Sequence, residues 1–183
     1  MTPAARRLAA AWLLATGVAA AACGKARLGR EAEAAVRAYD AAVVVAYRTN
    51  DPRGLERVAG PGEVRKLSAL IDLKRAARLA LESELEELEL LGVESLGPDR
   101  MLARTRERWR YWDRPLRPGM AAGPIFVADM WLTWELGREE GAWKVLEGRT
   151  ERSTYLEPKG FRPGASGGTG ADARTPAPRR EGT

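Results

Sequence analysis

The chain has 183 residues, of which 45% are hydrophobic, and a formal net charge of +5. This length and apolar content are typical of one globular domain with a real core. The sequence contains no histidine and a single cysteine, which excludes histidine general bases, Ser-His-Asp triads and sites where several His or Cys residues hold a metal. We therefore expect no metal and no cofactor, and any catalysis would depend on carboxylates, Lys, Tyr or Ser. The net charge is mild for a chain in which 30% of the residues are charged, so we expect no nucleic-acid partner.

The first 22 residues have the pattern of an export signal. Arg6 and Arg7 precede an apolar run, which ends in small residues directly before Cys23 and Gly24. This arrangement resembles the lipobox of bacterial lipoproteins. The resemblance implies that residues 1–22 are a signal peptide and that Cys23 is lipidated and becomes the mature N-terminus. Acyl chains would then hold the protein on the cell membrane or outer membrane, facing the periplasm or the exterior. The alternative is a buried cysteine in an N-terminal helix.

After a short tether, residues 23–29, the spacing of apolar residues predicts a domain over residues 30–157 that begins with helices. The first helix has a stripe at three- and four-residue spacing, formed by Ala32, Ala35, Val36, Tyr39, Val43 and Tyr47. A short helix is expected from Pro52 to Ala59. A third helical pattern runs from Val64 to Leu81, and we expect the first strand to begin after Glu84.

The second half of the domain alternates as β-strands do. From Met101 to Trp112, arginines at even positions alternate with Ala103, Thr105, Glu107, Trp109 and Tyr111. A Pro-rich loop follows, and then a strand from Phe126 to Leu136 with a hairpin turn at Glu139-Glu140-Gly141. Residues 158–183 are rich in Gly, Pro, Ser, Thr and Arg, which predicts a disordered tail. Helices followed by long antiparallel strands indicate an α+β fold, with helices packed on one face of a curved sheet.

The closing hairpin carries a resemblance to a known superfamily. Leu136-Gly-Arg-Glu-Glu-Gly-Ala-Trp143-Lys144-Val145 resembles the last hairpin of the cone-shaped NTF2-like proteins. Enzymatic members commonly place Asp and His inside the cone. Asp129 would supply the first, but no residue supplies the second. The resemblance therefore favours members that bind a hydrophobic ligand or another protein.

Candidate ligand-binding residues lie on two of the predicted strands. Trp109, Tyr111 and Trp131 would line a pocket in a concave sheet, or would instead fill the core between sheet and helices. Glu107, Asp129 and Glu135 share strand faces with these aromatics. Inside an apolar cone a carboxyl group would have a raised pKa and would serve as a base or ligand anchor; on a wet face it would be an ordinary surface charge.

A row of arginines, Arg104, Arg106, Arg108 and Arg110, occupies one face of a single strand. Four cations at this spacing repel one another unless carboxylates lie across the sheet or an anionic partner covers them. We consider this row a candidate partner face for an envelope protein, phospholipid head groups or acidic polymers. A plain solvated face is the alternative.

The sequence thus predicts an envelope lipoprotein that acts as a non-catalytic binding module, with Trp109, Trp131 and Asp129 as its main pocket residues. Two alternatives stay open. One is a carboxylate-dependent enzyme using Asp129 or Glu107, and the other is a structural subunit of an envelope complex recognised by the arginine row.

Overall fold

The computed structural model describes the backbone of residues 3–156 and the side chains of residues 24–156. The predicted signal peptide's side chains, the lipidation of Cys23 and the predicted tail at residues 158–183 lie outside the described residues. In the part of the chain that is described, no helix is both long and apolar enough to cross a membrane.

Two α-helices and a 3₁₀ turn precede the sheet. Helix α1 spans Pro3–Thr49, the 3₁₀ turn spans Pro52–Arg57 and helix α2 spans Pro61–Ala76. Residues 25–29, expected to be a tether, belong to α1, and Leu28 already packs against the core. The predicted stripe of α1 is confirmed, because its six residues are buried or half-buried.

The sheet is a four-stranded antiparallel meander in the order β1-β2-β3-β4. The strands are β1 (Leu79–Gly97), β2 (Arg100–Pro115), β3 (Phe126–Glu139) and β4 (Ala142–Leu156). The predicted hairpin between the last two strands is confirmed: Glu140 and Gly141 both have positive φ, at 52° and 82°, as a two-residue turn between right-twisted strands requires.

The start of β1 differs from the prediction. The helix ends at Ala76, Arg78 has a positive φ of 57°, and the strand begins at Leu79, so Leu81 belongs to the sheet and not to the helix. The leucine spacing in this region fits both the 3.6-residue period of a helix and the two-residue period of a strand. Pairing decides between them, because Leu79 to Leu85 lie opposite Pro115 to Trp109 of β2.

The hydrophobic core lies between the helices and one face of the sheet, which we call the inner face. α1 contributes Val36 and Tyr39, and the sheet contributes Met101, Ala103, Trp134, Leu136 and Val145. The opposite side of the sheet is the outer face. Bulges between Leu85 and Glu87 and between Leu90 and Gly92 interrupt the β1–β2 register. Bulges bend a strand and increase its twist, which helps the sheet to wrap around the helices.

Candidate functional site: a cavity between the helices and the sheet

A cavity of about 310 Å³ lies between α1, α2 and the inner face of the sheet. Its aliphatic walls are formed by Val43, Leu67, Leu70, Leu81, Met130 and Leu132. Aromatic side chains add Tyr39, Tyr47, Trp109, Tyr111 and Trp134. Charged groups enter at a few points, namely Asp40, Glu63, Lys66 and Glu107. A mainly apolar wall with few polar groups is the usual composition of a small-molecule site.

Glu107 is a fully buried carboxyl group on β2, with 1% of its surface exposed. Its Oε1 accepts a hydrogen bond from the Thr105 hydroxyl at 2.6 Å, and its Oε2 accepts one from the Trp109 indole N–H at 2.8 Å. The Trp134 N–H in turn donates to the Thr105 hydroxyl at 2.8 Å. Burial raises the pKa of Glu107 above its ordinary value, and these hydrogen bonds oppose that rise.

Asp40 is the second buried carboxyl group in the cavity, with 3% of its surface exposed. Its Oδ2 is buried and has no hydrogen-bond partner within the described residues. Burial, reinforced by the negative charge of Glu107, raises the pKa of Asp40 to about 9. Ser83, which also lines the cavity, has a buried hydroxyl that is likewise without a partner there. The cavity therefore contains two polar atoms whose hydrogen bonds are unmade.

A third acid, Glu63 of α2, is by contrast fully engaged. It accepts hydrogen bonds from the Tyr39 hydroxyl at 2.7 Å and from Lys66 at 3.3 Å. Lys66 also donates to the backbone oxygen of Gly148 at 2.8 Å. These contacts tie α1, α2 and β4 together on one side of the cavity, so Glu63 and Lys66 are structural ties as well as wall residues.

The register of the sheet separates the predicted site residues into two groups. Trp109 lies opposite Ala128, and Arg108 lies opposite Asp129, so odd positions of β2 and even positions of β3 point to the inner face. Glu107, Trp109 and Tyr111 line the cavity. Asp129, Trp131 and Glu135 do not. They lie on the outer face, which corrects the expectation that Trp131 and Asp129 share a pocket with Trp109.

Asp129 sits among the arginines of the outer face. Arg106 and Arg108 each donate to its carboxylate at 2.8 Å, and these bonds hold its pKa below the ordinary value. The Trp131 ring lies between the guanidinium groups of Arg106, 5.5 Å from the ring centre, and Arg152, 3.6 Å from it. Such an ionised, ion-paired carboxylate is poorly suited to act as a general base.

Arg108 and Arg110 of the arginine row are also matched by acids of β1, whereas Arg104 lies opposite Gly92 and Thr133. Arg108 contacts Glu87 at 3.1 Å, and Arg110 contacts Glu86 at 2.5 Å. These carboxylates relieve the repulsion among Arg106, Arg108 and Arg110 without any external partner. The partner face expected at Arg104, Arg106, Arg108 and Arg110 stays a prediction.

Asp40 is one of the cavity residues that the sequence interpretation missed; the others with polar side chains include Glu63, Lys66 and Ser83. A signal for it was present, because position 40 is four residues after Val36 and three before Val43, on the same side of α1 as the buried stripe. A charged residue within an apolar stripe is unusual and marks a candidate site.

In the described residues, two helices packed on a four-stranded antiparallel sheet, with a cavity between the layers, define the α+β domain that the sequence predicts. Among solved structures, the chain is similar to the intermembrane space region of the chloroplast protein ARC6, with 17% identity and a TM-score of 0.60 over 67% of this chain and 95% of that one.

Two further solved structures are similar at lower scores. An uncharacterised protein with a cystatin-like fold from Caulobacter vibrioides is 17% identical, with a TM-score of 0.43 over 69% of this chain and 91% of that one. A hexachlorocyclohexane dehydrochlorinase, LinA type 2, is 16% identical, with a TM-score of 0.46 over 76% of this chain and 99% of that one. No protein-family model and no curated protein sequence matches the chain.

Proposed function

We propose that this domain is a non-catalytic binding module that holds a small, mainly apolar ligand in the cavity between its helices and the inner face of the sheet. The observation that carries the proposal is the cavity itself. Its 310 Å³ is the space of roughly ten water molecules, at the lower end of the range for ligand sites. The side chains of Leu67, Leu70 and Leu132 cannot form hydrogen bonds with such waters. An apolar ligand would instead bury these side chains.

We also propose that the module is exported and anchored to the bacterial envelope through a lipidated Cys23. Support comes from the basic and apolar pattern before Cys23. Leu28, only five residues later, already packs against the core. The anchor would therefore hold the folded domain close to the membrane surface.

The binding proposal is tested with a substitution on α2 that fills the cavity. Leu70 of α2 lines the cavity, whereas Leu73 on the same helix is 65% exposed. We expect Leu70→Trp to fill the cavity and to abolish binding of the neutral probe 2-phenylethanol, measured by saturation-transfer NMR on the full-length protein. Leu73→Trp is the matched control and should bind the probe as the wild type does.

Circular dichroism must show that both variants are folded before binding is compared. Loss of the saturation-transfer signal in Leu70→Trp alone supports the proposal. Equal signals in all three proteins, or no signal in the wild type, would show that this cavity does not take an apolar ligand of that size.

A further inference from the structure

The cavity contains polar groups whose hydrogen bonds a purely apolar ligand would leave unmade. Asp40 Oδ2 and the Ser83 hydroxyl have no partner among the described residues, and both residues line the cavity. Glu107 lies in the same wall with two donors, although a carboxylate has room for about four. An unpaired polar group in a buried site weakens the binding of any ligand that cannot satisfy it.

The charged groups around the cavity are mostly acidic. Asp40 comes from α1, Glu63 from α2 and Glu107 from β2. The one cation in the wall, Lys66, is held by Glu63 and by the Gly148 carbonyl. None of the described cations forms an ion pair with Asp40 or Glu107.

Two other polar side chains near this region, Arg37 and Tyr39, already have hydrogen-bond partners. Arg37 of α1 donates to Glu33 and to the backbone oxygen of Leu88, and its charge reaches Asp40 only from a distance. The Tyr39 hydroxyl donates to Glu63. Tyr47 adds a phenol that burial keeps neutral. An anionic ligand would meet a wall dominated by carboxyl groups, and a cationic one would complement it.

We propose that the ligand is an amine on a compact apolar body, with its ammonium group bound by Asp40 and Glu107. This inference rests on the proposed function. An ammonium group offers three donors and no acceptor, which matches the carboxyl oxygens of Asp40 and Glu107. The apolar body would lie against Leu67, Met130 and Leu132.

Amine binding in this site is coupled to the release of a proton. Because burial and Glu107 raise the pKa of Asp40 to about 9, Asp40 is mostly neutral at pH 7. An ammonium ion favours the carboxylate, so the proton leaves as the amine binds. Affinity for the amine therefore rises between pH 7 and pH 9, and it falls again when the amine itself deprotonates near the lysine value of about 10.4.

The experiment compares three probes of similar size in the full-length protein: 2-phenylethylamine, 2-phenylethanol and 3-phenylpropanoate. We expect the amine to bind at least about tenfold more tightly than the alcohol at pH 8, since hydrogen bonds to charged groups are the stronger ones. The propanoate should bind more weakly than the alcohol. Titration calorimetry in buffers of different ionisation enthalpy measures the affinities and the released proton.

Asp40→Asn is the main variant, and Asp72→Asn, an exposed position on α2, is its control. We expect Asp40→Asn to remove the preference for the amine, the proton release and the pH dependence, while it keeps the affinity for the alcohol. If Asp40→Asn does not fold, the wild-type protein decides the question: an affinity for the amine that stays constant from pH 7 to pH 9, without proton release, contradicts the inference.

The outcomes separate this inference from the proposed function. Equal affinities for amine and alcohol in the wild type, with Leu70→Trp abolishing both, would overturn the amine inference and leave the binding module intact. Absence of binding by all three probes would overturn both. Amine binding that survives Asp40→Asn and Leu70→Trp unchanged would place the amine outside the cavity and contradict the inference.

Discussion

At the scale of single residues, a charged Asp40 would lower the stability of the fold, although the proposed amine site requires that charge. A carboxyl group with 3% exposure and an unpartnered oxygen destabilises the fold whenever it is charged. Its pKa is raised to about 9, so the folded state holds a proton that the unfolded state has already lost near pH 4. A residue that lowers stability in this way commonly belongs to a functional site.

The stability contribution of Asp40 has a definite pH dependence. Because its pKa is raised on folding, stability is lost as the pH rises from about 4 towards 9. We expect Asp40→Asn to raise the free energy of unfolding by about 1–3 kcal/mol at pH 8 and by little at pH 4. Denaturant unfolding at both pH values measures the difference.

The exposed variant Asp72→Asn controls for the removal of one negative charge and should show a small, nearly pH-independent effect. Asp129 and Glu82 have lowered pKa values, so the stability that they contribute is lost in acid instead. A difference between wild type and Asp40→Asn that stays constant from pH 4 to pH 8 would mean that Asp40 is not neutral in the folded protein.

At the scale of elements, β4 approaches β3 closely enough that a side chain is not tolerated at Gly148. A Cβ atom there would lie 2.9 Å from Trp134 Cε3 and would overlap the ring further out. The Trp134 ring is held by the hydrogen bond of its N–H to Thr105 and by an edge contact with Tyr39, whose ring centre is 5.3 Å away. Glycine at this position therefore allows Trp134 to remain in the cavity wall.

We expect Gly148→Ala to destabilise the domain by about 1–3 kcal/mol, as overpacking of a filled core does. Gly92 is the matched control, because it also lies in a strand and a Cβ atom there would contact nothing within 4 Å. Gly92→Ala should leave the unfolding free energy nearly unchanged or slightly increased. Thermal or denaturant unfolding compares the two variants, and equal effects would contradict the close approach at Trp134.

At the scale of the whole molecule, the proposed anchor residue and the residues that line the cavity lie at different positions along α1. The cavity residues of this helix, Tyr39 to Tyr47, follow Leu28 by roughly 16 to 28 Å along the helix axis. A lipid on Cys23 would thus hold one end of the domain at the bilayer, and the ligand site would lie farther along the helix.

This separation predicts that localisation and binding are independent. We expect wild-type protein to be found in the membrane fraction with a lipidated N-terminal Cys23, and Cys23→Ser to leave that fraction while it still binds 2-phenylethanol. Mass determination of the N-terminal peptide from membrane and soluble fractions measures the first part. An uncleaved chain with a free thiol in the soluble fraction would contradict the lipoprotein proposal.

Periodicity in the sequence predicted much of the fold, because the spacing of apolar residues within a helix or strand indicates which of its sides is buried. The stripe of α1, the alternation of β2 and the turn at Glu140-Gly141 were confirmed. The boundary between α2 and β1 was wrong, since the leucines from Leu79 to Leu91 suit both a helix and a strand. There the pairing with β2 determines the outcome.

The sequence by itself determined which residues share a face within one strand, and its lack of histidine excluded histidine chemistry. The pattern before Cys23, which predicts an export signal, is also visible in the sequence alone. Only the tertiary structure decided how the faces of neighbouring strands combine, because register depends on pairing between distant segments. It placed Asp129 and Trp131 with the arginines of the outer face, and it brought Asp40 of α1 into the same cavity as Glu107 of β2. Burial, which raises the pKa values of both carboxyl groups, exists only once the helix covers the sheet.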